Sequence, residues 1–209
     1  MTSGVVIIDT GCANVASLKF AIERLGYQPE VSVNATQISE ASSVFLPGVG
    51  TAKAVMRSLS KNNLIDVIKN LSQPLLGICL GMQIFSPYSN EGDGEPIECL
   101  DLFDGRLDDV KLIDTKQFPV PHMGWNTIDK ITDNSLFERV GSQERFYFVH
   151  SYMIPVSDVT TAVCDHGKKF SASIKYKNFY GVQFHPERSG KVGAIVLNNF
   201  LNMSGEVAK

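Results

Sequence analysis

The sequence predicts a three-layer α/β domain with a mixed, mostly parallel central sheet, and two observations carry the prediction. In the first half, short and continuously apolar runs alternate with helix-compatible stretches, the rhythm of β-α-β units whose strands are buried on both faces. Beyond Gly105 this pattern gives way to a series of strand-like segments closed by one apolar helix.

The first strand is Val5-Val6-Ile7-Ile8, a continuous apolar run that suits a sheet covered on both sides. Residues 13–25 follow at helical spacing and stop at Gly26, and residues 29–33 and 44–46 read as the next two strands. A helical stretch over 51–71 leads to the apolar strand 74–78. Residues 80–85 are again helix-compatible, so a strand passes into a helix at Cys79. Between Pro87 and Pro96 the run Ser89-Asn90-Glu91-Gly92-Asp93-Gly94 is polar and glycine-containing, and is expected on the surface. Strands are then predicted over 106–112, 125–128, 145–152 and 160–165. A hairpin over 170–184 turns near Lys177-Asn178, and a final helix covers 191–203. No internal repeat and no Gly-, Ser- or Pro-rich linker divides the chain, so residues 1–209 are read as one domain.

Composition narrows the function classes. With 209 residues, 44% of them hydrophobic and 20% charged, the chain suffices for one buried core. A net charge of −3 provides no basic field to hold nucleic acid. No apolar run approaches the roughly 20 residues of a membrane span. The first residues lack the basic, apolar and small-residue pattern of an export signal, so a cytoplasmic address is expected. Cys12, Cys79, Cys99 and Cys164 are scattered without a Cys-x-x-Cys pair, which argues against a disulfide framework and a zinc knuckle. No histidine pair has i, i+4 spacing on a predicted helix, and residues 90–98 lack the ligand order of a calcium loop. No metal or other cofactor is expected.

Three features carry chemistry. The first is Gly77-Ile78-Cys79-Leu80-Gly81, a Gly-x-nucleophile-x-Gly pattern where a strand enters a helix. Small residues two before and two after the centre allow the sharp turn of a nucleophile elbow, and the N–H groups of the following helix favour a thiolate. A packed cysteine in an ordinary β-α turn satisfies the same pattern, so a base must be found. Of His122, His150, His166 and His185, only the last has an orienting group built in. In His185-Pro186-Glu187, after the apolar residues 180–184, an extended backbone points both side chains to one side. A surface His-Glu pair ending a strand is the plain alternative. The third feature is the loop Leu46-Pro47-Gly48-Val49-Gly50-Thr51, whose strand ends at the same sheet edge as Cys79. Gly48 and Gly50 let backbone N–H groups approach a developing oxyanion; an ordinary β-α turn reads the same way. Neither Gly-x-Gly-x-x-Gly nor a phosphate-binding loop is present. Together the three features specify acyl transfer at a carbonyl carbon.

The runs Gly77-Ile78-Cys79-Leu80-Gly81-Met82-Gln83 and Gln183-Phe184-His185-Pro186-Glu187 resemble the triad motifs of the class I glutamine amidotransferases. The segments 46–50, Pro121-His122-Met123-Gly124-Trp125-Asn126 and Phe146-Tyr147-Phe148-Val149-His150-Ser151-Tyr152 are similar to the branch of glutaminase subunits that serve imidazole glycerol phosphate synthase. The resemblance covers nearly the whole chain. It implies a flavodoxin-like fold with Cys79, His185 and Glu187 as the triad, and an oxyanion hole from the N–H groups of Leu80 and, after local adjustment, Val49. It also implies glutamine bound by Gln83 and the Gly48–Gly50 region, with Ser151 and Tyr152 at its amino-acid end. A second task follows from the family: passing ammonia to a cyclase subunit with a (β/α)8 barrel, the two forming a heterodimer, with Asn14, His122 and Trp125 facing that subunit. Plain packing is the alternative for those residues, above all for Trp125, the sole tryptophan. The loop Asp9-Thr10-Gly11-Cys12-Ala13-Asn14 departs from the family pattern at Thr10 and Ala13, which touches the subunit contact and not the reaction class. Rival readings are an amidotransferase subunit of another synthase, as in the pyridoxal phosphate or anthranilate pathways, and a non-catalytic flavodoxin-like binding module. The 121–126 motif speaks against the first, and the intact Cys79, His185 and Glu187 against the second.

Overall fold

The strands Val5–Ile8, Ser43–Gly48 and Leu75–Cys79 are buried at every position, which requires apolar cover on both faces of the sheet they form. A computed structural model of the chain describes residues 4–203 apart from 12–14, 93, 115, 131 and 133. Eight strands form its main sheet. From one edge the order is Pro29–Ser32, Val5–Ile8, Ser43–Gly48, Leu75–Cys79, Phe179–Val182, Lys169–Tyr176, Thr160–Asp165 and Asp129–Lys130. The first five run parallel and the last three pair antiparallel, the mixed and mostly parallel sheet expected from the sequence.

Alternate residues of Val5–Ile8 point into two separate cores. On one side Val5 and Ile7 share a core with Leu18 and Ile22 of helix Val15–Glu23 and with Val196 and Phe200 of helix Gly190–Met203. On the other, Val6 and Ile8 meet Ile38 of Ala35–Glu40, Val55 and Leu59 of Ala52–Lys61, and Ile68 of Ile65–Lys69. A separate antiparallel pair, His122–Thr127 with Arg145–His150, stands beside the main sheet.

The hairpin turns at Lys177-Asn178 as expected, between strands paired from Ser173↔Val182 to Tyr176↔Phe179. The helix Ala35–Glu40 is absent from the sequence reading, and other elements differ from it in extent. The helix over 51–71 is broken between Lys61 and Ile65, where Asn63 adopts a left-handed φ of 55°, a conformation asparagine tolerates better than most residues. The strand over 106–112 shrinks to Lys111–Leu112, because Asp104 and Gly105 turn the chain with positive φ and Asp108 and Asp109 disfavour pairing. The strand over 145–152 splits at Ser151 into Arg145–His150 and Tyr152–Met153, each with a different partner. Pairing near Trp125 begins earlier than expected, because His122 and Met123 already face His150 and Val149. Among the described residues no helix is long and apolar enough to cross a membrane.

Candidate active site

Cys79 closes its strand with φ 54° and ψ −111°, a backbone conformation that residues with side chains seldom adopt, and the helix Leu80–Gln83 starts at the next residue. Three glycines make room for this turn. A Cβ on Gly81 would stand 1.8 Å from the Leu46 carbonyl oxygen, one on Gly77 2.5 Å from Phe85 Cζ, and one on Gly48 2.5 Å from the Gly81 nitrogen. The elbow therefore packs backbone against backbone on the neighbouring strand. Its helix is only four residues long, so the field at the sulfur comes from local N–H groups rather than from a long helix dipole.

Sheet register gathers the remaining groups. Gly48 pairs with Cys79, which sets Val49 and Gly50 beside the elbow. Val182 pairs with Ile78, which carries the chain past Cys79 at Gln183 and on to His185. Gln183 Nε2 donates to Cys79 Sγ at 3.6 Å, and the Val149 carbonyl oxygen lies 3.9 Å from the same sulfur. The backbone N–H of His185 donates to the Tyr147 carbonyl at 2.9 Å.

His185 Nδ1 and Glu187 Oε1 are 2.8 Å apart, and the two side chains are 3% and 2% exposed, so the pair is not a surface one. The extended geometry read from the sequence gives way here to a 3-10 turn, Pro186–Arg188, which folds Glu187 back beneath the imidazole. Burial opposes the charge on His185, but Cys79 and Glu187 outweigh it and push the imidazole up to about 10. Its Nε2, the nitrogen away from Glu187, has no hydrogen-bond partner among the described residues.

A cavity of about 480 Å³ opens over these groups. Cys79 and His185 line it together with Gly48, Val49, Gly50, Leu80, Gln83, Ser151 and Tyr152, every residue assigned by resemblance to the oxyanion hole or to glutamine. Glu187 lies behind them, at a smaller space shared with His185, Pro47 and Ile78. Glu91, Pro121 and Arg188 also line the cavity, which the sequence reading did not anticipate. The polar segment is largely exposed, as expected, with Asn90, Gly92 and Gly94 at the surface, but at Glu91 and Gly92 it also bends towards the cavity. The Glu91 carboxylate accepts from the Ala52 N–H, and the Gly92 N–H donates to Tyr152 Oη at 3.1 Å. No spacing in the sequence signals this, since the partners are distant in the chain.

The three residues expected to face a partner separate. His122 is buried, stacked on Phe148 and His166, whereas Trp125 is 51% exposed and meets Tyr147 edge-on. Asn14, with Cys12 and Ala13, lies outside the described residues. Thr10, one of the two departures from the family pattern, is buried and donates to the Pro47 carbonyl at 3.3 Å, so it braces the loop that carries Val49. Cys99 and Cys164 are pushed up to about 12, chiefly by burial and then by neighbouring carboxylates, which keeps both as unreactive thiols.

Two buried histidines behave oppositely to His185. Burial first, and then neighbouring imidazoles, hold His122 down to about 4 and His150 to about 3. Unfolding restores an ordinary imidazole, so the unfolded chain takes up protons below about pH 6.5 that the folded chain refuses. Stability therefore falls as pH drops from about 6.5 towards 4, by at most about 1.4 kcal/mol per pH unit for each group. In thermal melts across this range, a variant carrying both His122→Phe and His150→Phe is expected to lose stability more shallowly than the parent. Parallel curves would contradict neutral burial.

The chain matches the model of the "Glutamine amidotransferase class-I" family over residues 6–203. It is 52% identical over 202 residues to the imidazole glycerol phosphate synthase subunit HisH of Vibrio parahaemolyticus, covering 95% of this chain and 98% of that one. It is 50% identical over 206 residues to the protein of the same name in Vibrio cholerae, covering 97% and 100%. Among solved structures, a glutamine amidotransferase from Thermotoga maritima superposes with a TM-score of 0.67 at 18% identity, covering 99% of each chain, a likeness of fold. The chain therefore belongs to the class I glutamine amidotransferase family, in the branch formed by these imidazole glycerol phosphate synthase subunits.

Proposed function

We propose that this chain is the glutaminase subunit of an imidazole glycerol phosphate synthase, hydrolysing L-glutamine and passing ammonia to a synthase partner in histidine biosynthesis. The observation that carries the reading is the convergence of Cys79, His185 and the loop 48–50 on one cavity, with Glu187 buried behind the imidazole. Cys79 Sγ attacks the side-chain amide carbon of glutamine. The N–H groups of Leu80 and, after local adjustment, Val49 hold the oxyanion. His185 gives its proton to the leaving nitrogen, ammonia departs, and a glutamyl thioester remains. The neutral imidazole then takes a proton from water, which attacks the thioester carbon and releases glutamate and the Cys79 sulfur. Glu187 holds the Nδ1 proton throughout. Ser151 and Tyr152 flank the amino-acid end of the substrate, and the Glu91 carboxylate supplies the negative charge its ammonium needs.

The partner in this reading is a (β/α)8-barrel cyclase bound as a heterodimer, which forms imidazole glycerol phosphate from the delivered ammonia. Exposed Trp125, Met123 and Val120 offer apolar surface next to Pro121 at the cavity rim. The setting is cytoplasmic, and the isolated chain is nearly idle because the oxyanion loop must adjust. The test is glutamate release by this chain alone, with the cyclase, and with the cyclase and its phosphoribulosyl-formimino ribonucleotide substrate. Strong release in the last mixture, lost in Cys79→Ala, is expected. Equal release without the partner would overturn the gating, and no release in any mixture would overturn the glutaminase assignment.

A further inference from the structure

Beneath the strand His122–Thr127 a line of polar side chains runs from the edge of the cavity outward, and each proton in it has only one place to be. His150 Nδ1 is 2.8 Å from the Tyr152 carbonyl, which only accepts, so Nδ1 carries hydrogen. With His150 neutral, its Nε2 is an acceptor, and His122 Nδ1 must donate to it at 3.1 Å. His122 Nε2 is then left to accept from Asn126 Nδ2 at 3.4 Å, and that amide also donates to the Asp165 carbonyl at 3.0 Å. Inward, the Tyr152 carbonyl accepts a second bond from Gln83 Nε2 at 2.7 Å. Gln83 Nε2 also donates to Gln183 Oε1 at 3.0 Å, and Gln183 Nε2 donates to Cys79 Sγ at 3.6 Å.

We propose that His150 is a positioning residue for the glutaminase centre: braced by His122, it fixes the Tyr152 carbonyl, and through Gln83 and Gln183 it fixes the sulfur of Cys79. The proposal rests on the glutaminase reading above and adds a specific requirement to it. His150 borders the same cavity, but both its ring nitrogens are engaged, one by the Tyr152 carbonyl and one by His122. It acts through the Tyr152 carbonyl, whose other side-chain donor among the described residues is Gln83, on the wall of the cavity proposed to take glutamine. Its own strand also presents the Val149 carbonyl to the sulfur, so a shift of this strand moves both contacts of Cys79 together. Among the described residues no group of His, Cys, Asp or Glu side chains has the arrangement to hold a metal ion, so the paired imidazoles serve as a polar strut. The outer end of the strut reaches the surface. His166 stacks on His122 with ring centres 4.1 Å apart and donates from Nε2 to the Pro119 carbonyl at 2.9 Å, next to exposed Phe118 and Val120.

The test compares the parent with the double variant His122→Phe/His150→Phe, which keeps aromatic packing and leaves no half-satisfied imidazole, and with His150→Asn, whose amide retains an N–H towards Tyr152. Each is assayed with its cyclase partner for kcat and KM. The rate at which iodoacetamide alkylates Cys79 is read separately by peptide mass mapping in the chain alone. In the double variant kcat/KM for glutamine is expected to fall at least about tenfold, the Cys79 alkylation rate to change at least about threefold, and His150→Asn to recover most of the loss. Retention of kcat/KM within about twofold, or its loss with the alkylation rate unchanged, would overturn the proposal. If the parent releases no more glutamate than Cys79→Ala, the glutaminase reading itself fails. The alkylation arm still reports whether the strut governs the sulfur.

Discussion

Glu187→Gln is expected to lower kcat for glutamine hydrolysis, assayed with the proposed synthase partner present, about 100- to 10,000-fold while changing KM less than about tenfold. The carboxylate is buried against His185 Nδ1 at 2.8 Å, behind the groups that line the cavity. Glutamine at 187 preserves shape but removes the charge, and its amide can turn a donor towards Nδ1 and favour the wrong tautomer. A second readout follows from the same contact. The bound proton of His185 is held up to about 10, above its ordinary 6.5, by Cys79 and Glu187 against the cost of burial. Because the folded value is the raised one, the stabilisation is complete below about pH 6.5 and fades as pH climbs through about 10. An NMR titration of His185 in Glu187→Gln is expected to show its midpoint lowered from the parent's. An unchanged midpoint together with unchanged kcat would contradict the role given to Glu187.

Gly81→Ala is expected to destabilise the fold by about 3 kcal/mol or more, with glutaminase activity lost in whatever folded protein survives. The added methyl would lie 1.8 Å from the Leu46 carbonyl oxygen and 2.9 Å from its carbon, both backbone atoms that no rotamer change can clear. Relief requires the Leu80–Gln83 turn to move off the Ser43–Gly48 strand, which also moves the register partners Gly48 and Cys79 apart. The contrast is Gly94→Ala, where an added Cβ meets nothing within 4 Å beyond its chain neighbours and the effect is expected to stay within about 0.5 kcal/mol. Urea unfolding of the two variants reads the difference. Equal midpoints would mean that the elbow is not packed as tightly as the strand spacing requires.

The parts of this site that a reader of the sequence can find are those whose geometry is local. The elbow is written in the spacing of Gly77, Cys79 and Gly81, because the crowding that excludes side chains arises within a few residues of the turn and the adjacent strand. The His185-Glu187 pairing is likewise visible, although an extended chain was the wrong reason for it. A 3-10 turn after Pro186 makes the contact, and two-residue spacing does not distinguish the two geometries. Burial of that pair was not legible. It depends on the Phe179–Val182 strand lying inside the sheet, beside a strand about a hundred positions earlier in the chain. Glu91 and Gln183 were missed as contacts for the same reason: Glu91 reaches Ala52 across 39 residues and Gln183 reaches Cys79 across 104. The break after Lys61 lay within a stretch whose apolar spacing continues, and a left-handed asparagine costs too little to leave a clear mark. In Trp125 the sequence left packing and exposure open, and the side chain proves to be half exposed.

Acid quenching of the chain during turnover of glutamine, with the proposed synthase partner present, followed by mass-spectrometric mapping of the cysteine-containing peptides, reads whether Cys79 is the nucleophile. A glutamyl thioester is expected on the peptide bearing Cys79 and on no other. A glutamyl adduct on Cys99 or Cys164, or full turnover with no adduct on Cys79 at any quench time and undiminished turnover in Cys79→Ala, would contradict it.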